Sequence, residues 1–117
     1  MDVLFLEYPK CTTCQKAKKW LIEHGVAFED RHIVDKPPSV SEMTQWTTMS
    51  GLPLRRFFNT SGLVYKSLNL KERLPSMSEE EQIALLCSNG MLIKRPLLIT
   101  KEKVFIGFKE QEWQSLL

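Results

Sequence analysis

Residues 2–8, DVLFLEY, form a short apolar run that Pro9 stops. Such a run predicts a buried strand. From Thr12 the rhythm changes. Ala17, Trp20, Leu21 and His24 recur at helical spacing, with Gln15, Lys16, Lys18 and Lys19 on the other side. Gly25 ends that helix, as glycine commonly does where a chain leaves helical geometry. Residues 26–34, VAFEDRHIV, alternate and then turn polar, which predicts a second strand. Strand, helix and strand with short joints predict a right-handed unit with a parallel strand pair.

Residues 38–90 read as a compact helical block. Ser39 or Ser41 offers an N-cap, Met43, Trp46 and Met49 give an apolar face, and Gly51 closes the first helix. Pro53 starts a second helical stretch that Gly62 ends. LVYKSLNLKERL predicts one or two short helices before Pro75. The clearest helix lies within residues 76–90. Ser78 with Glu81 makes a capping box, three acids face the positive end of the dipole, and Asn89-Gly90 closes it. Two apolar runs follow, RPLLIT (95–100) and KVFIGF (103–108), split by Lys101-Glu102 as in a hairpin. KEQEWQSLL predicts a closing helix with Trp113, Leu116 and Leu117 on one face. The order β-α-β, helices, β-β-α predicts one α/β domain whose last strands form a hairpin on a sheet begun by a parallel pair.

Composition narrows the function. The 117 residues suit one core, and 43% hydrophobic with 26% charged residues argues for a folded chain. A net charge of +2 speaks against a strongly basic nucleic-acid binder. No apolar run approaches the ~20 residues of a membrane span, and acidic Asp2 and Glu7 do not suit a signal peptide. The expectation is a cytoplasmic protein with neither nucleic acid nor membrane as direct partner. Three cysteines in such a chain do not suggest a disulfide scaffold. A close pair in a reducing compartment points to catalysis or to metal.

Cys11 and Cys14 form that pair, and Cys11 falls between a strand's end and a helix's first turn. Unpaired N–H groups and the helix dipole favour a thiolate there, and so a reactive sulfur. Lys10 and Lys16 add positive potential. Cys14 returns over Cys11 after one helical turn, so it can attack a mixed disulfide formed on Cys11. Two other readings stand beside this one. Both cysteines can be small buried residues. The pair can also be half of a zinc site, but only Cys87, His24 and His32 could complete it, and none forms a second close pair. No metal is expected. Cys87 lies on the apolar side of its helix and reads as packing. His24 reads as a structural residue packed against the sheet, and His32 as a surface residue. Trp20, Trp46 and Trp113 fall on helix faces, where packing is the expectation.

Arg95-Pro96 is the second constellation. An X-Pro step at a strand's start can be cis. If the step faces the Cys11 loop, Arg95 can bind the thiolate or an anionic substrate. Placed at an exposed strand end it would do neither, and the sequence leaves both open.

CTTC near the N-terminus, Arg95-Pro96 before apolar residues, and Gly107-Phe108 before an acidic segment with Trp113 together resemble the arsenate reductase (ArsC) family. The resemblance spans nearly the whole chain and is closest to the branch of Spx-type transcription regulators and YffB-like proteins. It implies a thioredoxin-like fold with a mixed four-stranded sheet and a helical insertion at about 38–90, a cis Pro96, and Cys11 as nucleophile. Arsenate reductases of this family normally use one active cysteine and three arginines that bind the oxyanion. Arg95 matches the middle arginine. The first would fall at about Asn59, with Arg55 and Arg56 a helical turn earlier, and the last near Phe108, which Lys109 follows. Lysine does not replace bidentate guanidinium recognition.

Three functions follow from the resemblance, in order. The first is a thiol oxidoreductase in which Cys11 attacks, Cys14 resolves, and Arg95 supports the thiolate or binds glutathione's carboxylate. Lys10, Thr12, Thr13 and Pro96 are its substrate-binding candidates. It would bind no cofactor, with glutathione or thioredoxin as reductant and a small thiol, glutaredoxin or thioredoxin as partner. The second is an Spx-like redox-sensing regulator with the RNA polymerase α subunit as partner. Such regulators tend to extend further at the C-terminus than this chain, which ranks the reading lower. The third is an arsenate reductase with an altered anion site.

Overall fold

A computed structural model describes residues 3–117. Strand β1 (Leu4–Glu7) lies inside a sheet of order β2-β1-β3-β4. It pairs in parallel with β2 (Glu29–His32), Leu4 opposite Glu29 and Glu7 opposite His32. On its other side β3 (Leu97–Ile99) runs antiparallel, Leu6 opposite Leu97, and β4 (Val104–Ile106) closes the hairpin on β3. The sheet is therefore mixed, as expected for a thioredoxin-like fold. A central strand is covered on both faces, which is why β1 reads as an unbroken apolar run.

Alternate β1 side chains feed two cores. Phe5 points to helix α1 (Thr12–Glu23), among Ala17, Trp20, Leu21 and Trp113. Leu6 points the other way, to Ile33, Met43, Trp46, Phe57 and Phe58 in the helical block. The expected strand 26–34 is shorter than its pattern. Only Glu29–His32 joins the ladder, and Phe28 instead sets its ring edge-on to Phe5 at 5.5 Å. Charges on β2 suit the sheet edge it occupies. The first strand is likewise trimmed at Tyr8, and its expected start at Asp2 lies outside the described residues.

The helical block comprises α2 (Val40–Ser50), α3 (Leu63–Ser67), α4 (Leu70–Arg73) and α5 (Glu79–Ser88). Ser39 rather than Ser41 caps α2, in a capping box with Glu42, and Ser78 with Glu81 caps α5. Gly51 ends α2 at φ 65°, and Gly25 follows α1 at φ 68°. Gly62 does not close a helix as its position suggested. Residues Leu54–Phe57 make only a tight helical turn, Phe58 bridges to Ile93, and Gly62 is the N-cap of α3. At the end of α5, Gly90 is required by packing, because a Cβ there would run into the Ile33 carbonyl. The closing helix α6 (Glu110–Trp113) tightens into a short turn at Gln114–Leu116. Trp113 is fully buried, whereas Leu117 is exposed instead of sharing its face.

Arg31 ties the sheet to the block. Its guanidinium donates to both carboxylate oxygens of Glu42 at 2.8 Å, and to the carbonyls of Lys36 and Pro37. The Arg31 hydrogen bonds hold the Glu42 carboxyl at about 2, against an ordinary value of 4.5. A carboxyl depressed by folding stabilises the fold above its ordinary value and loses that contribution as pH falls through the folded value. Glu42→Gln should therefore be less stable than wild type at neutral pH, and the gap should close between pH 4.5 and about 2 in urea melts. Gly90→Ala should cost roughly 1–3 kcal/mol by overpacking, visible as a lower urea midpoint with an unchanged slope.

Candidate active site

The joint between β1 and α1 carries both cysteines. Cys11 has extended backbone (φ −86°, ψ 115°) and occupies the N-cap of α1, where its sulfur takes the place of the usual side-chain oxygen. The Cys14 amide donates to Cys11 Sγ at 3.3 Å. The turn that delivers Cys11 is closed by its own amide donating to the Tyr8 carbonyl at 2.9 Å. Cys11 is half-buried and Cys14 fully buried, and both are free thiols. Burial first, then a hydrogen bond to Cys11, pushes the Cys14 thiol up to about 12. The Tyr8 backbone N–H and the charge of Arg95 oppose that rise. Two sulfurs of different accessibility thus share one helical turn, one half-buried and one fully buried behind it.

Arg95 reaches this joint through the sheet. Leu6 faces Leu97 across β1 and β3, so the same register carried two residues further sets Tyr8 opposite Arg95. The Arg95 guanidinium carbon stands 5.3 Å from the centroid of the Tyr8 ring. Its Nε and Nη1 are buried with no hydrogen-bond partner. Buried donors of this kind are rare without a partner from protein, water or a ligand. The Arg95-Pro96 bond is cis, and Pro96 is buried with its carbonyl accepting from the Gly107 amide at 2.8 Å. Of the two settings open for Arg95, the structure gives the half-buried one, over the ring of Tyr8 at the turn that leads into Cys11.

Lys10, Thr12 and Thr13 are exposed around Cys11. Among the described residues no side-chain hydrogen bond or ion pair engages them, so they border the sulfur without being held to it. Asn59 is half-buried and accepts a hydrogen bond from Ser61. Phe108 turns into the aromatic core, 4.8 Å from Trp113, and Lys109 lies 4.0 Å from Glu112. Arg55 lines a separate cleft of about 500 Å³ with Tyr65 and Lys71. Arg95 is thus the guanidinium seated over Tyr8, three residues before Cys11. Cys87 is half-buried against the helical-block core, where burial and Glu42 push its thiol up.

Several neighbours escape sequence reading. Tyr8 bears Arg95 on its ring, and His32 sets its ring edge-on to Tyr8 at 5.6 Å. His32 is therefore half-buried rather than a plain surface residue, and its Nδ1 accepts from the amides of Val34 and Asp35. His24 is exposed rather than packed on the sheet. Its ring stacks on Trp20 at 4.1 Å, and its Nδ1 donates to the Trp20 carbonyl. Glu7, only 4% exposed, receives a hydrogen bond from Gln15 and lies 3.4 Å from Lys18, which pairs with Asp30 at 2.7 Å. Burial and the neighbouring Asp30 raise the Glu7 carboxyl. An acid at the end of a buried apolar run was the one local signal for this cluster.

Comparison with known proteins agrees with this geometry. A protein of Bacillus subtilis strain 168, YusI, is 55% identical over 98% of both chains. The global transcriptional regulator Spx of Streptococcus agalactiae is 32% identical across the whole of this chain and 83% of its own length. Among solved structures, an ArsC family related protein from Bacteroides fragilis superposes with a TM-score of 0.96 at 57% identity, covering 100% of this chain and 98% of its own. An arsenate reductase from Vibrio cholerae shares the fold, with a TM-score of 0.88 at 24% identity over 100% of this chain and 98% of its own. With the family profile matching residues 6–116 and the cysteine joint and Arg95-Pro96 assembled in one place, the chain is a member of the ArsC family.

Proposed function

We propose that the protein is a thiol-dependent oxidoreductase in which Cys11 is the nucleophile and Cys14 the resolving thiol. The observation that carries the reading is the asymmetry of the pair. Cys11 is accessible at a helix N-cap, while Cys14 is buried, protonated and bonded to it. In the first step the Cys11 thiolate attacks one sulfur of a substrate disulfide. A Cys11–substrate disulfide forms, the substrate's own S–S bond breaks, and its other half leaves as a thiolate. In the second step Cys14 loses its proton to the departing sulfur and attacks Cys11 Sγ. A Cys11–Cys14 bond forms and the second thiol leaves. The substrate gains two electrons and the protein dithiol loses them. A dithiol reductant of the thioredoxin kind, or two molecules of glutathione, restores the pair.

The order of events has a physical cause. Two of the influences that raise the Cys14 thiol, its hydrogen bond to Cys11 and the Cys11 charge, depend on a free Cys11 sulfur. Both vanish once Cys11 is bound to substrate. The Tyr8 amide and Arg95 remain, and both favour the Cys14 thiolate. Burial, the largest cause of the raised Cys14 thiol, persists, so the first step eases the deprotonation of Cys14 in part. Arg95 supplies the anion contact, with buried unpaired N–H groups suited to a glutathione carboxylate. Lys10, Thr12 and Thr13 border the approach to Cys11, and Pro96 backs it. Arsenate reduction ranks lower because Asn59, Phe108 and Lys109 do not add guanidinium groups beside Arg95.

The deciding measurement is turnover of a glutathione mixed disulfide coupled to NADPH oxidation, with arsenate run in parallel. Turnover should disappear in Cys11→Ser. In Cys14→Ser a covalent Cys11–substrate adduct should accumulate, detectable by mass. Arg95→Ala should raise KM roughly 10–100-fold, the worth of a charge-assisted hydrogen bond. A protein that forms the Cys11–Cys14 bond reversibly but turns over neither substrate would instead be a redox-switched binding protein, as its likeness to Spx allows. Under neutral, native conditions iodoacetamide should label Cys11 and spare Cys14. Labelling of Cys14 at a comparable rate would remove the basis for the resolving role.

A further inference from the structure

The Arg95 guanidinium is a half-buried charge without a carboxylate partner among the described residues. Something must nevertheless hold it in place. We infer that Tyr8 is the positioning residue for the anion site, its ring carrying Arg95 beside the cysteine joint while taking none of the in-plane guanidinium N–H groups. The inference rests on the oxidoreductase reading and names the residue that sets its anion contact.

The chemistry distinguishes a ring from an acid in this role. A carboxylate would fix the guanidinium by taking its in-plane N–H groups and cancelling its charge. An aromatic face attracts the cation from above the plane, so the in-plane donors stay free. Nε and Nη1 of Arg95 are indeed unpaired, and the ring centroid is 5.3 Å from the guanidinium carbon. The Tyr8 ring is itself fixed. His32 meets it edge-on at 5.6 Å, and His32 is held by the amides of Val34 and Asp35. The backbone of the same residue closes the turn that delivers Cys11. The Tyr8 carbonyl accepts from the Cys11 amide at 2.9 Å, and the Cys14 amide donates in turn to the Cys11 sulfur. One residue therefore sets the spacing between the anion contact and the reacting sulfur.

The test compares alkylation of Cys11 by iodoacetate, an anion, with alkylation by iodoacetamide, its neutral analogue. Their rate ratio reports the anion contact, and the neutral rate controls for changes at the sulfur. Arg95→Ala should lower the ratio. Tyr8→Leu, which keeps the backbone contacts, should lower it roughly two- to tenfold with little change in the iodoacetamide rate. Tyr8→Phe should retain the wild-type ratio, and Tyr8→Leu should add nothing in the Arg95→Ala background. Pentafluorophenylalanine at position 8 keeps the ring's shape but not its negative face, and should act like leucine even if Tyr8→Leu fails to fold. An unchanged ratio with the fluorinated ring, when Arg95→Ala does lower it, overturns the role of Tyr8 alone. A ratio unchanged by Arg95→Ala overturns the anion contact itself, and the inference with it. A Tyr8→Phe ratio as low as that of leucine would assign the effect to the hydroxyl and also overturn the inference.

Discussion

The contact on which the site depends is the hydrogen bond from the Cys14 amide to the Cys11 sulfur at 3.3 Å. It requires a strand that ends at Glu7, a turn closed on the Tyr8 carbonyl, and a helix whose first turn begins at Thr12. A helix start always leaves amides without partners. Here a sulfur takes one of them, so the atom that caps α1 is the Cys11 thiol itself. The i, i+3 spacing then puts the second sulfur on the buried side of the same turn.

The sheet brings the rest. Because β1 is central, its two neighbours converge on the same joint from opposite sides. The parallel neighbour β2 brings His32 to the edge of Tyr8, and the antiparallel neighbour β3 brings Arg95 over its face. The helical block is anchored to this frame by the Arg31–Glu42 pair and by the close approach of Gly90 to Ile33. Neither contact touches the cysteines, yet both limit how far the block can shift relative to the strands that hold them.

Much of the fold was legible along the chain. Helical periodicity, serine caps and the hairpin turn mark most elements, because they depend on neighbours within a few residues. The misreadings share a cause. Residues 26–28 carry a strand's pattern, but the Val26 amide is taken by the Leu21 carbonyl at the end of α1 and Phe28 packs its ring on Phe5. Gly62 suits a helix end as well as a helix start, and only the bridge between Phe58 and Ile93 decides which. His32 looks like a surface residue until Tyr8 covers one edge of its ring.

The cysteine joint is legible from the chain alone: a buried strand, a proline, a cysteine at a helix start and a second cysteine one turn on. Each of those properties follows from local spacing and capping. Only the three-dimensional fold sets Arg95 over the ring of Tyr8 and lets Glu7 share Lys18 with Asp30. These contacts join residues distant along the chain. Their geometry depends on the register between strands, which a shift of one residue would turn to the opposite face.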